Sequence, residues 1–197
     1  MTGVKRIILF MGVLFIMALS QSAAAQNVTY LENLQTKMQE EQASLMESLQ
    51  TFDKAGANVT HEQLTDGGKT YNVTIYKDKD GNILRELRDS DGNLYREVLI
   101  SSGNGPILTV TYSEEGDVAK RETFEPVGLR KYTEIYDKDG SKEQIMQDAS
   151  QKENNTLTTK VDKNGDIISK EISTTPGLPD GCTFCRNTGQ YECEKKA

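Results

Sequence analysis

The feature that most constrains this chain is a series of glycine turns at nearly regular spacing between residues 70 and 173. Asp-Gly and Asn-Gly turns alternate with short runs that suit strands, and such turns favour hairpins because glycine adopts positive φ. The turn glycines are Gly81, Gly92, Gly103, Gly116, Gly128, Gly140 and Gly165. About twelve residues hold one strand and one turn, which predicts an antiparallel up-and-down meander of about nine strands. A calcium loop of the EF-hand type does not fit, because its first ligand position would fall on Tyr76 for Gly81.

The side chains of the predicted strands decide between a closed and an open sheet. The run at 83–88 carries charge on both faces, with Arg85 on one and Glu86 on the other. A small closed barrel fills its interior with side chains and buries unpaired charge only at a high cost. The sequence therefore predicts a mainly β fold whose domain at 70–173 is an open, twisted sheet, wet on at least one side.

A long amphipathic helix is predicted before the sheet, over residues 26–56. Its apolar residues recur at helical steps and lie on one stripe. The stripe consists of Leu31, Leu34, Met38, Leu45, Leu49 and Phe52. A helix of about 22 residues is about 33 Å long and reaches across most of such a sheet, so we expect it to cover the apolar face. The alternative is a coiled-coil seam that forms a homodimer.

Residues 1–25 have the features of a secretory signal peptide. Lys5 and Arg6 supply its charge, residues 7–19 are apolar, and residues 23–25 match a cleavage site. We expect cleavage after Ala25 and a secreted or periplasmic protein without a membrane span once the signal is removed. The formal net charge of −7 argues against nucleic acid as a partner, because that partner requires a basic surface.

Residues 57–69 are predicted to be a linker between the helix and the sheet. The segment 65–70 is similar to the end of a phosphate-binding loop, but Gln63 stands where that loop requires glycine. His61 is the only histidine of the chain and is expected to be a solvated side chain. Any Ser-His-Asp or Cys-His site would depend on it alone, and no residue pattern supports one.

Residues 174–197 form a tail that contains the cysteines Cys182, Cys185 and Cys193. As zinc ligands these three need a fourth. A disulfide with one cysteine left over suits an exported chain, with Cys193 as the expected partner because a Cys182–Cys185 ring is small and strained. A redox-active Cys-x-x-Cys normally lies at a helix start within a βα fold, which is not predicted here. We expect no cofactor, with zinc as the alternative.

The turn rhythm, as in the segment Tyr76-Lys-Asp-Lys-Asp-Gly-Asn-Ile-Leu84, resembles bacterial secreted repeat proteins of the MORN-variant type. The charged strands are also similar to the single-layer sheet of outer surface protein A lipoproteins. In the tail, Cys182-x-x-Cys185-x-x-x-Gly189 is similar to half of a DnaJ-type zinc knuckle, with Asn187 in place of its first glycine. The chain lacks the glycine pattern of MORN strands and the cysteine of a lipoprotein. These resemblances imply an extracytoplasmic binding or surface module.

Two functions follow from the sequence. The favoured one is an exported, non-enzymatic module that presents its sheet or an edge strand to a protein or glycan partner. The alternative is a small exported metal-binding or thiol-redox protein that uses the three cysteines. We do not expect an enzyme, since no carboxylate has the apolar context that tunes an acid or base.

Overall fold

The computed structural model describes residues 3–150, 153–176, 182–185 and 190–193, with side chains over 27–150 and 154–175. Among these residues one helix precedes ten strands that form one antiparallel sheet in sequence order, followed by a separate two-stranded sheet. The elements are α1 (Gly3–Gln50), β1 (Asn58–Asp66), β2 (Lys69–Lys77), β3 (Ile83–Arg88), β4 (Leu94–Ile100), β5 (Ile107–Tyr112), β6 (Val118–Glu125), β7 (Arg130–Tyr136), β8 (Lys142–Asp148), β9 (Glu153–Val161), β10 (Ile167–Pro176), β11 (Cys182–Cys185) and β12 (Gln190–Cys193). The predicted open up-and-down meander with a preceding helix is confirmed.

The prediction of a linker at 57–69 is wrong. Most of that segment is β1, which pairs with β2 along its whole length from Asn58 opposite Lys77 to Asp66 opposite Lys69. The turn between them consists of Gly67 and Gly68, with φ values of +58° and +79°. Two successive positive φ angles define the type I′ turn that joins strands through two residues. The sheet therefore has ten strands rather than about nine.

The helix ends at Gln50 rather than at Gly56 as predicted. The chain then turns around Asp53, whose Oδ1 accepts hydrogen bonds from the backbone N–H groups of Ala55 (3.2 Å) and Gly56 (3.1 Å). A side-chain oxygen that binds nearby backbone donors in this way stabilises a turn in place of further helix. Phe52 lies beyond the helix but still packs against the apolar cluster beneath it.

One row of residues across the sheet forms the surface on which the helix packs. Its members are directly opposite one another on successive strands from β3 to β9. They are Leu84, Leu99, Leu108, Thr123, Tyr132, Met146 and Leu157, all fully or nearly fully buried. Leu31, Leu34 and Met38 pack over the end of the row towards β9, and Leu45 and Leu49 pack over the end towards β3. The predicted stripe is thus packed against the chain's own sheet.

Three glutamines of the helix reach successive strands of the sheet. Gln35 donates to Gln144 Oε1 on β8 (3.3 Å), and Gln39 donates to the Tyr132 hydroxyl on β7 (2.9 Å). Gln42 donates to Thr123 Oγ1 on β6 (3.2 Å). The predicted apolar stripe does not include these glutamines, yet Gln35 and Gln42 are buried. They satisfy polar groups that the helix would otherwise cover without partners.

Six of the seven predicted turn glycines have left-handed backbone; the exception is Gly128, where the positive φ (+49°) falls on the next residue, Leu129. Gly81, Gly92, Gly116, Gly140 and Gly165 have φ between +84° and +94°. In the β2–β3 turn, Gly81 N–H donates to Asp78 O (3.3 Å) and Asp78 N–H donates to Asn82 O (3.1 Å). This pattern is a type I turn followed by a glycine bulge, the usual form of a three-residue hairpin loop.

Met38→Ala tests the helix–sheet packing. Met38 is fully buried and packs with Tyr132, Met146 and Leu157, so truncation leaves a cavity in the interface. We expect the free energy of unfolding to fall by about 2–5 kcal/mol, measured by urea denaturation. Glu40→Ala, on the exposed side of the same helix, is the control and should change it by less than about 0.5 kcal/mol. Equal effects of the two substitutions would contradict the packing.

Gly92→Ala tests the left-handed turns. A Cβ at this position meets no atom within 4 Å, so the φ of +88° is the source of any strain. An L-residue with this backbone costs about 1–2 kcal/mol, and we expect a corresponding loss of stability in thermal unfolding. Ser90→Ala, in the same turn, is the control. A variant as stable as the original protein would show that the turn has another conformation.

Candidate functional site

A polar groove of about 510 Å³ runs along the C-terminal half of α1. Arg121, Glu134 and Lys142 line its sheet side, and residues of the helix line the other. Glu134 accepts hydrogen bonds from Lys142 Nζ (2.7 Å), Gln144 Nε2 (3.1 Å) and the hydroxyl groups of Tyr132 and Tyr136 (3.0 and 2.5 Å). The Glu134 carboxylate therefore has its acceptor sites occupied by the protein itself.

The electrostatics of the groove agree with this structural role. Burial raises the pKa of Glu134, but Lys142, Tyr136 and Gln144 outweigh burial and hold it below its ordinary value. Burial and the hydrogen bond to Glu134 raise the pKa of the Tyr136 hydroxyl. Glu134 is thus an anion and Tyr136 a neutral donor at neutral pH. Both lie on β7, which Glu134 links to β8 through Lys142 and Gln144 and which Tyr136 links to β6 by accepting from Arg121 (2.9 Å).

The sheet face opposite the helix has no second layer among the described residues, yet its apolar side chains are largely covered. Ile107 and Phe124 lie opposite each other there, each 6% exposed. Next to them on this face, Lys120 and Lys131 both contact the Glu122 carboxylate, at 2.7 and 3.2 Å. Long charged side chains that pair above apolar neighbours cover them with their methylene stems. The open face is therefore a shielded, solvated surface rather than a bare apolar one.

A second cluster on the same face lies near β1. Tyr71 and Tyr95 stack with ring centroids 4.6 Å apart, and Val73 and Leu87 are buried beside them. Arg96 lies 4.9 Å from the centre of the Tyr95 ring. A bulge in the β3–β4 pairing between Leu87 and the following residue accommodates Tyr95 on this face. The side chains of this cluster therefore shield one another from solvent.

Apart from Tyr30 on the helix and Val127 in the β6–β7 turn, the exposed large apolar side chains of the described residues lie on the two edge strands. Val59 and Leu64 on β1 are 45% and 42% exposed, and Ile167, Ile168 and Ile172 on β10 are 57%, 65% and 39% exposed. Every residue of β1 is exposed. The edges, and not the faces, are therefore where the described part of the sheet presents unprotected groups to solvent.

The two edges differ in how well they are protected against pairing. β10 has a register irregularity between Ile167 and Ser169 and ends at Pro176, and Lys170 binds Glu32 of the helix. A bulge, a proline and a lysine are the features that block strand addition in natural sheets. β1 has none of the three: its sequence contains no proline, lysine or arginine, and its register with β2 is regular. β1 is the unprotected edge.

The hairpin register identifies which backbone groups of β1 point away from the sheet. In a two-residue hairpin the residues that flank the turn, here Asp66 and Lys69, exchange hydrogen bonds, and the pattern then alternates. Val59, His61, Gln63 and Thr65 therefore direct their N–H and C=O groups outwards. His61, predicted to be a solvated side chain, is exposed on this strand, with Nδ1 3.3 Å from Thr74 Oγ1.

The acidic turn residues use their carboxylates locally. Asp89 Oδ1 accepts hydrogen bonds from the N–H groups of Asp91 (3.0 Å) and Asn93 (2.8 Å), and the Asn93 side chain and backbone lower the pKa of Asp89. Asp162 holds its turn in the same way. Within the residues whose side chains are described, no group of three or more His, Cys, Asp or Glu is placed to hold a metal ion.

The predicted site cysteines lie outside the residues whose side chains the structure describes. Their backbone belongs to the small hairpin: Cys182 and Cys185 are on β11 and Cys193 is on β12. The choice between zinc and a disulfide therefore stays a prediction at the level of side chains. In the described part of the chain, no helix has both the length and the apolar character needed to cross a membrane.

Comparison with known proteins gives no assignment. No protein-family model matches this chain, and no curated protein matches it with significance.

Glu134→Gln tests the groove network through its pH dependence. A carboxyl with a lowered pKa in the folded state stabilises the fold above its unfolded pKa of about 4.3 and loses this effect as the pH falls. We expect the variant to be less stable than the original protein at pH 7 and the difference to shrink by pH 3, measured by urea unfolding. Glu40→Gln, exposed on α1, is the control. A difference that grows on acidification would contradict the network.

Proposed function

We propose that this chain is an exported, non-enzymatic binding module that recognises a partner protein by adding an extended segment of it to β1. The observation that carries the proposal is the unprotected edge: β1 is exposed along its whole length and lacks the features that protect β10. Strand addition supplies affinity through backbone hydrogen bonds and specificity through alternate side chains. The predicted signal peptide supports the exported location.

The composition of β1 indicates the chemistry of the partner segment. Glu62 and Asp66 give the strand two carboxylates and no lysine or arginine. Asp66 already pairs with Arg96 at 3.5 Å, so a partner strand with lysine or arginine opposite Glu62 is favoured. Val59 and Leu64 lie on opposite faces of the hairpin and offer one apolar contact each. A glycan has less support as the ligand, because β1 offers a row of backbone groups whose spacing matches another strand.

A proline substitution tests backbone recognition directly. His61→Pro removes one outward N–H but none of those that bind β2, and proline is tolerated on an edge strand in that orientation. A photo-crosslinking residue replaces Leu64, and the protein is irradiated in its native compartment. The crosslinked adduct is then purified and analysed by mass spectrometry. We expect one discrete adduct that His61→Pro abolishes and His61→Ala preserves, since alanine keeps the N–H. An adduct of twice the chain mass identifies the partner as a second copy.

Three outcomes would overturn the proposal. The first is an adduct that survives in His61→Pro. The second is an equal loss of the adduct in His61→Ala, which would show that the partner recognises the imidazole. The third is an equal adduct from the same probe at Lys131 on the open face, which would move the site to that face. Both proline and alanine variants must retain the melting temperature of the original protein to within a few degrees for the comparison to count.

A further inference from the structure

The small C-terminal hairpin sets the relative positions of the three cysteines. β11 and β12 pair antiparallel, with Cys182 directly opposite Cys193 and Cys185 opposite Gln190. Opposite residues of an antiparallel pair have Cα atoms about 4.5 or 5.5 Å apart, depending on the type of pair. Both values lie in the range of about 4.4–6.8 Å that disulfides adopt.

The other two pairings do not fit this register. Cys182 and Cys185 are three residues apart on one strand, which separates their Cα atoms by ~10 Å in an extended chain. Cys185 and Cys193 are separated by the same three steps along the hairpin and by the distance between strands, so they are at least as far apart. Cysteines with Cα atoms more than about 7 Å apart cannot be bridged without moving the backbone.

The same register argues against a zinc site made from all three cysteines. Residues three apart on a strand belong to opposite faces, so Cys185 is placed on the face opposite to that of Cys182 and Cys193. Zinc–sulfur bonds of about 2.3 Å require the ligands to converge on one point. A redox pair of Cys182 with Cys185 would require the same convergence.

We propose that Cys182 and Cys193 form a disulfide that closes the β11–β12 hairpin and that Cys185 is the remaining free thiol. Formation removes one hydrogen from each thiol and transfers two electrons to an oxidant, which is a disulfide such as oxidised glutathione. One thiolate attacks that disulfide and releases a glutathione thiol, and the second thiolate then displaces the other glutathione. The proposal relies on the proposed export only for the oxidising compartment.

Disulfide mapping on the purified full chain, refolded in oxidised glutathione, tests the pairing whether or not export occurs. After alkylation of free thiols, combined tryptic and chymotryptic cleavage at Phe184, Arg186 and Tyr191 separates the three cysteines onto different peptides. We expect a linked peptide pair containing Cys182 and Cys193, an alkylated Cys185, and an intact mass lower by two hydrogens before alkylation. Cys185→Ser should retain the mass loss, whereas Cys182→Ser and Cys193→Ser should each abolish it.

Several results would overturn the pairing. They are a Cys182–Cys185 or Cys185–Cys193 linkage in the digest, three alkylated thiols after oxidation, or one zinc per chain in native mass spectrometry that disappears on denaturation. If the disulfide forms in vitro but protein from the native compartment has three free thiols, that result would contradict export. It would not contradict the pairing of Cys182 opposite Cys193.

Discussion

The structure depends on the match between the pitch of α1 and the spacing of the strands beneath it. One turn of helix rises about 5.4 Å, and neighbouring strands are about 4.8 Å apart. Gln42, Gln39 and Gln35 therefore reach β6, β7 and β8 in turn, while Met38 between them and the leucines on either side of them pack on the buried row of the sheet. A single helix can cover one face of a wide sheet only because its side-chain stripe advances by about one strand per turn.

This arrangement determines which surfaces remain for a partner. The helix occupies one face, and charge pairs such as Lys131 with Glu122 cover the other. Closure into a barrel would have removed both edges, but the meander stays open, and bulge, proline and lysine protect only β10. In this fold both faces of the sheet are covered, but the edge strand β1 is left unprotected against pairing with another strand.

The sequence predicted the turns and the helix stripe because both depend on local rules: positive φ at glycine and a 3.6-residue period. It missed β1, since Val59 and Leu64 give that strand almost no alternation, and Gly67-Gly68 was assigned to a linker rather than to a hairpin turn. It also missed the buried glutamines. Their partners are distant in sequence, as with Gln42 and Thr123, so no local pattern marks them. Edge protection is likewise visible only once the strand order is known.

A one-residue insertion in α1 tests the match between helix and strands most directly. An alanine inserted after Glu40 rotates the two halves of the stripe relative to each other by about 100°, so Leu45 and Leu49 can no longer pack on the sheet together with Leu31, Leu34 and Met38. The account predicts a sharp fall in the melting temperature by circular dichroism, while the same insertion after Asn27, outside the covered strands, leaves it unchanged. An unchanged melting temperature for the first insertion would contradict the account, because the helix would then not be held in register with the sheet.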